Sequence, residues 1–456
     1  MIKKPSFLKN TLLEILKTYG KEFVIIIGLL VLINFYFGKE NTVIKADGLG
    51  YYDALPSLLV HHDFFRKNVS SNQNPELYSR IKQLGVYNTT NNGFYVNKYT
   101  IGTAVLQLPF FGFTRIFFPE AKPEDSVYQN SILIAAFFYL FLSLIFLKKL
   151  LLLYRISKSI IFYCQLMLVF ATPVINYVNY DASFSHIYSL FVITAFLVFC
   201  KQFFISPNTK SLCLSALFLG LIILIRPVNV LVIFTIPFVA ASIENLKNGI
   251  KYSIKNLKTS TVTLVLLFLI ISIQNLAWYL QCGQWLVFSY GNEGFDFSDP
   301  KFFKILFSFK KGLFIYTPIA LLAFGGLIAL YKSKRHFELL SFLCFFTLLT
   351  YVFSSWWSWY YGGSFGLRAY LEFLPLFFVL LAEWFTQLKL KYKVLLLSLS
   401  LVFTGINIVQ AYQYKNYILH FSDMTPNRYW RVFLKTDKKY QGLFYKTHYN
   451  IQKHNL

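Results

Sequence analysis

The chain has 456 residues, of which 56% are hydrophobic, 20% aromatic and only 14% charged. Soluble domains average about 25% charged residues, so this chain has too few charges to cover a soluble surface of its size. The composition excludes a soluble enzyme, a secreted disulfide scaffold and a disordered protein. The net charge of +24 is interpreted first as a signal of membrane orientation, and nucleic acid is not expected as a partner.

Apolar runs of roughly 20 residues recur along the chain, which is typical of a polytopic membrane protein. The first run, Phe23 to Phe37, follows a basic segment and lacks a small-x-small cleavage site, so we interpret it as a transmembrane helix. The sequence predicts an all-α membrane protein with about eleven transmembrane helices, at roughly 22–37, 127–147, 159–177, 184–200, 211–225, 228–243, 260–281, 313–331, 338–354, 370–388 and 394–412. We expect one integral-membrane domain, 1–412, and a polar, extracytoplasmic C-terminal tail, 413–456.

The basic residues predict the orientation of these helices. With eleven spans and a cytoplasmic N-terminus, the inside loops hold 16 Lys and Arg residues and the short outside loops hold 6. An additional span at 99–118 would reverse this ratio, so we expect 99–118 to lie along the outer surface as a juxtamembrane helix. The long first outer loop is then 38–126. The predicted location is the inner (plasma) membrane of a bacterium, with the polar chemistry on the extracytoplasmic face.

The first outer loop carries two groups of candidate site residues. Asp47 follows the first span directly and precedes a short apolar helix face; it is a candidate general base, or else an acid that caps this helix. Asp53 and His61 lie off that face, where they could contact a substrate. Lys98 and Tyr99 open the predicted juxtamembrane helix. There Lys98 could bind the phosphate of a lipid-linked substrate or simply extend to lipid headgroups.

Later outer loops add further candidates. Asp181 and His186 lie in a short turn between two spans and could face a cavity, although a helix cap and an interfacial histidine would explain them too. Glu293 lies in a polar loop that leads to the basic pair ending in Lys311, which either holds a phosphate or anchors the next span. Arg226, before Pro227, interrupts a long apolar stretch. We place it at an outside turn, since an arginine in mid-membrane costs at least about 2.5–3.5 kcal/mol.

The segment 355–368 is rich in aromatic residues and glycine and ends in Arg368. Aromatic belts at membrane interfaces explain part of it, but not the three glycines before an arginine. Glycine allows close backbone approach, aromatic faces stack on sugars or prenyl chains, and arginine can bind a phosphate through two hydrogen bonds. We therefore predict ligand contacts from Trp359, Tyr361 and Arg368. The five cysteines show no metal-ligand spacing, so no metal site, disulfide framework or cofactor is expected.

These motifs together resemble the GT-C-fold glycosyltransferases, the group that includes protein O-mannosyltransferases and lipid A aminoarabinose transferases. The likeness covers most of 20–390. It rests on an acid after the first span, a Lys-Tyr-x-x-Gly segment at 98–102, the Arg226-Pro227 turn and the Trp/Gly loop that ends at Arg368. Many members carry Lys-Tyr-Pro-Pro-Gly where this chain has Thr100 and Ile101, and the usual Asp-Glu pair is Asp47-Gly48 here.

The resemblance implies an inverting glycosyltransferase that uses a polyprenyl-phosphate-linked sugar as donor. Asp47 would be the general base toward an extracytoplasmic glycan, lipid or protein acceptor, while Lys98, Arg368 and Arg226 would bind the donor phosphate. Membrane lipids are the other expected partners. Two alternatives stay open: a flippase or polymerase of lipid-linked saccharides, and a membrane protein without enzymatic activity.

Overall fold

The structure is a computed structural model that describes residues 5–38, 40–64, 75–90 and 93–445. Helices account for most of this part of the chain. Its one strand pair, Tyr87–Thr89 and Tyr95–Asn97, forms a short antiparallel hairpin in which Tyr87 lies opposite Asn97. The hairpin lies in the segment predicted as the first outer loop and leads directly to Lys98. The predicted all-α membrane fold is therefore confirmed.

In the part of the chain that the structure describes, seven helices are long and apolar enough to cross a membrane, which makes this a multi-pass membrane protein. They are Lys17–Phe37, Ser126–Leu153, His186–Ile205, Leu257–Cys282, His336–Ser354, Arg368–Gln387 and Leu390–Lys415. Three further predicted spans form shorter apolar helices, Lys158–Phe170, Thr209–Ile225 and Pro318–Lys332. The predicted span 228–243 is a 3₁₀ helix, Pro227–Thr235, continued by Ile236–Ala240. The count of eleven crossings stays a prediction.

The first helix begins at Pro5, includes a π-helical end at Ile33–Phe37 and so extends the first span toward the N-terminus. The span Arg368–Gln387 begins with the 3₁₀ turn Arg368–Phe373. The other helices are short connecting or surface elements: Asp47–Tyr52, Ala54–Leu59, Pro75–Leu84, Gly102–Phe117, Val174–Asn179, Ile243–Lys255, Phe302–Phe307, Leu313–Tyr316, Pro426–Val432 and Lys438–Tyr440.

The core of the bundle is built on two helices that are apolar on all sides. In both His186–Ile205 and Arg368–Gln387, 89% of the most apolar window is buried inside the protein. A helix that is hydrophobic all round must be surrounded by other helices. By contrast, Leu257–Cys282 buries only 22% of its window and turns most of its apolar side chains outward, as expected for a lipid-facing helix. The inner helices carry Glu372 and His186 to the same end of the bundle.

The helix Gly102–Phe117, predicted to lie along the membrane surface, is fixed by its first residues. The Thr100 hydroxyl donates to the carbonyl of Ile225 at 2.7 Å, and the backbone N–H of Ile101 donates to the side chain of Gln274 at 2.8 Å. A Cβ added at Gly102 would lie 2.4 Å from the backbone of Leu224 and Ile225. Glycine at 102 thus allows two backbones to touch and places Lys98 and Tyr99 beside the Arg226 turn.

The described part of the predicted tail, 413–445, packs on the bundle. Gln410 donates to the Tyr429 hydroxyl at 2.6 Å, and Gln413 donates to the Val432 carbonyl at 2.6 Å. The Tyr429 ring lies 4.9 Å from that of Phe309, next to the basic pair 310–311. The segment therefore lies at the same end of the bundle as Lys311.

We predict that Gly102→Ala destabilises the protein by about 1–3 kcal/mol, because its Cβ would overlap rigid backbone atoms. The matched control is Gly112→Ala in the same helix, where a Cβ would meet nothing within 4 Å. The control should be neutral or slightly stabilising, by up to about 1 kcal/mol, since alanine suits a helix interior better than glycine. Thermal unfolding of the detergent-purified variants measures both; equal shifts would contradict the close approach at 102.

Candidate functional site

Asp47 is held at the start of the short helix Asp47–Tyr52 by close packing of two glycines. A Cβ at Gly48 would lie 1.8 Å from the hydroxyl of Ser183, and one at Gly50 would lie 2.1 Å from the ring of Tyr99. The preceding Ala46 has φ 47°, a strained value for a residue with a Cβ. The Asp47 loop is thus packed closely between the segments that carry Ser183 and Tyr99. This packing restricts the orientation of the Asp47 carboxylate.

The Asp47 carboxylate forms an ion pair with Arg368, 2.6 Å from Oδ2 to Nη1. The Asp47 side chain is 29% exposed and that of Arg368 is 12% exposed. Burial raises the pKa of Asp47, but the Arg368 guanidinium and the Tyr99 hydroxyl outweigh it, so that the pKa of this carboxyl lies below its ordinary value. Asp47 is therefore ionised at neutral pH and can accept a proton.

A second ion pair lies deeper in the same region. Glu372 is fully buried, and its Oε1 is 2.6 Å from Arg226 Nη1 and 2.8 Å from His186 Nδ1. The side-chain amide of Asn229 donates to the other oxygen, Oε2, at 2.5 Å. Because Arg226 stands where the helix Thr209–Ile225 stops, its extended backbone lets the side chain turn toward Glu372. Three polar side chains from two segments thus satisfy one buried carboxylate.

Tyr51, Tyr99 and Tyr290 form a tyrosine cluster beside the two ion pairs. The ring of Tyr99 lies 4.6 Å from Tyr51 and 6.4 Å from Tyr290. Tyr51 and Tyr290 each interact electrostatically with Arg226 of one pair and with Asp47 and Arg368 of the other. The two arginines therefore belong to one site, lined by aromatic faces and phenol groups.

Lys98 and Glu293 were predicted as separate contacts, and the structure joins them in an ion pair. The Lys98 ammonium also lies 5.3 Å from the centre of the Tyr290 ring. Both side chains are partly exposed, 22% for Lys98 and 29% for Glu293. A partly exposed pair can exchange partners with little loss of free energy. Lys98 therefore adds a third cation at the partly exposed edge of the tyrosine cluster.

Lys311 and Asp181 lie deeper than the sequence indicated. The Lys311 ammonium donates to the carbonyl of Ser364 in the glycine-rich loop, and burial holds its pKa well below the ordinary value. Burial likewise raises the pKa of Asp181 to about 6, although Lys45 and the Asn176 amide, which donates at 2.7 Å, favour the charged form. Both residues act electrostatically on Arg368, so they form the back of the site.

The remaining predicted residues fall into two groups. Tyr361 is buried behind the site, donates to the Phe353 carbonyl at 3.3 Å and interacts electrostatically with both arginines. Asp53 belongs to a different cluster, in which Arg80 bridges it to Asp63 with distances of 2.7 and 2.6 Å. His61 is exposed beyond that cluster.

Trp359 is half-buried and packs edge-on against Tyr360 at 5.8 Å. The substrate-binding roles of Trp359, Asp53 and His61 stay predictions. Within the described part of the chain, no group of three or more His, Cys, Asp or Glu residues could hold a metal ion.

The sequence interpretation left two functional residues out of the site. The sequence pattern identifies neither Glu372 nor Asn229 as a site residue. A usable signal existed for Glu372, because an acid in an apolar span, four residues after Arg368, needs a cationic partner. Nothing in the sequence indicates that this partner is Arg226, which is 146 residues away.

Comparisons with solved structures place the fold. The chain is similar to the apo crystal structure of the Archaeoglobus fulgidus oligosaccharyltransferase, with a TM-score of 0.52 and 11% identity over 92% of this chain and 60% of that chain. The oligosaccharyltransferase AglB from the same organism, in complex with an inhibitory peptide and a dolichol-phosphate, gives a TM-score of 0.47 at 11% identity, over 88% of this chain and 56% of that chain. No family of known proteins and no curated protein sequence matches the chain.

The chain thus spans about three fifths of the archaeal oligosaccharyltransferase with which it shares a fold. At 11% identity this likeness concerns the fold alone. It confirms the GT-C-like architecture expected from the sequence motifs.

We predict that Arg368→Gln raises the pKa of Asp47 above its ordinary value, because burial would act without the compensating guanidinium. Dicyclohexylcarbodiimide, which modifies protonated carboxyl groups in apolar surroundings, should then label the Asp47 peptide more strongly at pH 7 than in the wild type. Peptide mass spectrometry quantifies the label. The matched control is Arg226→Gln, whose direct partner is Glu372. Equal labelling of the Asp47 peptide in both variants would contradict the conclusion that Arg368 lowers the pKa of Asp47.

We also predict a pH-dependent gain of stability from Asp181→Asn. The pKa of about 6 in the folded protein exceeds the ordinary 3.8, so the folded state binds this proton more tightly. Stability contributed by the protonated group is therefore lost as the pH rises from about 4 to about 6. Asp181→Asn should melt like the wild type at pH 4 and be more stable by about 1–3 kcal/mol at pH 7. Thermal unfolding at both pH values tests this, with exposed Asp437→Asn as control.

Proposed function

We propose that this protein is a membrane glycosyltransferase that transfers a sugar from a polyprenyl-phosphate-linked donor to an acceptor on the extracytoplasmic face of a bacterial inner membrane. The observation that carries the proposal is the ionised Asp47 paired with Arg368, with a second cation, Lys98, close to the same carboxylate and a third, Arg226, deeper in the site. The fold shared with an oligosaccharyltransferase supports this class of reaction.

The cations suit a lipid-linked phosphate. A donor of this kind lies at the membrane interface, and its phosphate becomes more negative as the bond to the sugar breaks. Arg368 and Lys98 are both partly exposed and held by carboxylates that a phosphate can replace. Arginine binds phosphate oxygens through two parallel hydrogen bonds, which would stabilise the charge on the leaving group.

Asp47 supplies the other half of the reaction. An acceptor hydroxyl next to Asp47 would give its proton to the carboxylate while its oxygen forms a bond to the anomeric carbon of the sugar. The bond between that carbon and the phosphate oxygen breaks on the opposite side, so the transfer inverts the anomeric configuration. Release of Arg368 to the phosphate leaves Asp47 without its strongest cationic partner and makes it a better base.

The tyrosine cluster would orient the sugar. Tyr51, Tyr99 and Tyr290 present ring faces and hydroxyl groups between the two arginines. Rings of this kind stack on the apolar faces of sugars, while their hydroxyl groups form hydrogen bonds. Hexose or pentose as the transferred sugar, and a glycan, lipid or protein as acceptor, all fit this chemistry.

We predict that Asp47→Asn lowers transfer by about 10²–10⁴-fold while the protein still folds, because asparagine keeps the shape but cannot take the proton. The measurement is mass spectrometry of cell-envelope glycans from cells that lack the protein and are complemented with each variant at equal membrane levels. The control is Asp299→Asn, since Asp299 is an exposed outer-loop acid paired with Lys301.

Three outcomes separate the alternatives. Loss of a glycan species with Asp47→Asn but not with Asp299→Asn supports the transferase. Normal glycans with Asp47→Asn would refute Asp47 as the base and leave the flippase or polymerase of lipid-linked saccharides. A protein without enzymatic activity would show unchanged glycans even when the whole chain is deleted.

A further inference from the structure

The helix Ile243–Lys255 lies at the end of the bundle opposite the Asp47 site. The helix Thr209–Ile225 runs from this end to Arg226, and Leu257–Cys282 returns to the hairpin before Lys98, where Gln281 accepts from the N–H of Asn97 at 3.1 Å. The helix Ile243–Lys255 lies beside the first residue of Thr209–Ile225, because the Tyr252 and Thr209 hydroxyl groups are 3.1 Å apart, and it leads directly into Leu257–Cys282. It therefore belongs to the other face of the membrane, which the charge distribution predicts to be cytoplasmic.

This helix lies across the bundle rather than along it. Its axis turns by 118° from that of Pro227–Ala240, at Ala241, which has φ 68°. The Ser242 side chain caps its first turn by accepting from the N–H of Asn245 at 3.1 Å. The turn and the cap start a new helix in a direction that cannot continue through the membrane.

One face of the helix is fixed to the bundle. A Cβ at Gly249 would lie 2.6 Å from the ring of Phe204, and the Tyr252 ring packs edge-on against Phe203 at 5.9 Å. The Tyr252 hydroxyl is also 3.1 Å from that of Thr209. Because the face that carries Gly249 and Tyr252 packs on the bundle, the remaining faces of the helix point away from the bundle.

The outward faces combine apolar and basic residues. Ile250 and Ile254 are 51% and 65% exposed, although they are large apolar side chains one helical turn apart. Lys247, Lys251 and Lys255 follow each other at the same four-residue spacing and are exposed beside them. Together these five residues line an open groove of about 310 Å³.

None of the three lysines forms an ion pair with a carboxylate in the part of the chain that the structure describes, where the lysine ion pairs are those of Lys45, Lys98, Lys148, Lys301 and Lys415. In water the lysine ammonium groups would be well hydrated, but the two exposed isoleucines would be poorly matched to their surroundings. At a membrane interface the isoleucines enter the acyl region, and the lysines extend to the headgroup phosphates.

We propose that this groove binds an anionic phospholipid of the leaflet opposite the Asp47 site. The three ammonium groups would surround the headgroup phosphate, and an acyl chain would lie along Ile250 and Ile254. The helix stands at the level of lipid headgroups, since it joins segments that end at the membrane surface, and basic residues near such a surface attract anionic lipids. This binding site is independent of the proposed transferase activity.

The test uses the full chain and two lipid probes. The protein is purified in detergent, mixed with phosphatidylglycerol and phosphatidylcholine at equal concentration, and examined by native mass spectrometry for retained lipid. The wild type should retain phosphatidylglycerol preferentially. The triple variant Lys247→Gln, Lys251→Gln, Lys255→Gln should lose this preference, with a decrease of about fivefold per lysine.

Two controls make the result specific. The triple variant Lys389→Gln, Lys391→Gln, Lys393→Gln removes the same charge from another loop predicted at this face and should keep the preference for phosphatidylglycerol. The triple variant Lys247→Arg, Lys251→Arg, Lys255→Arg keeps the charge and should also keep the preference for phosphatidylglycerol. Equal loss in both glutamine variants would show a net-charge effect and overturn the site. Retention of both lipids alike by the wild type would overturn it as well.

Discussion

Pairing of buried charges is the constraint on which this site depends. Two arginines stand at one end of an apolar bundle, where an unpaired charge would cost several kcal/mol. The chain supplies Asp47 to Arg368 and Glu372 to Arg226, each at 2.6 Å. These pairs bring together the first outer loop, the Arg226 turn and the late span, three regions that are far apart in sequence.

The two pairs differ in how firmly they are held. Glu372 is fully buried and is satisfied on both oxygens by Arg226, His186 and Asn229. Such a network fixes Arg226 in place. Asp47 is 29% exposed, and its partner Arg368 faces the same partly exposed edge as Lys98. The deep pair is therefore held firmly, whereas the outer pair is the one that the proposed function requires to exchange Asp47 for a substrate anion. Under the proposed function, this difference would give Glu372 a structural role and Asp47 a chemical one.

Close packing of backbone segments is the second feature that defines the geometry of the site. Gly48, Gly50 and Gly102 each stand where a side chain would collide with another segment. The glycines bring the Asp47 loop against Ser183 and Tyr99 and bring the Lys98 segment against the Arg226 turn. Short and degenerate motifs can therefore build a defined site, since most of the geometry comes from contacts between backbones.

The sequence alone determined the class of the protein and several residues of its site. Hydrophobic runs, few charges and the bias of basic residues establish a helical membrane protein, because the cost of exposing apolar groups and of burying charges depends on composition and local order. The acid after the first span, Lys98, Arg226 and Arg368 could be identified for the same reason: each is a charged residue at the boundary of an apolar segment. The four carry over to the structure as members of one site, although their roles remain a proposal.

Only the tertiary structure determined which acidic and basic side chains form ion pairs with each other. Local pattern cannot say that Glu372 pairs with Arg226, that Glu293 pairs with Lys98, or that Asp53 joins Arg80 in another cluster, since these partners are brought together by helix packing across many residues. It also could not show that several apolar segments, such as Lys158–Phe170, are helices shorter than the predicted spans. Packing against neighbouring helices decides where a helix stops, and that depends on the whole bundle rather than on the segment itself.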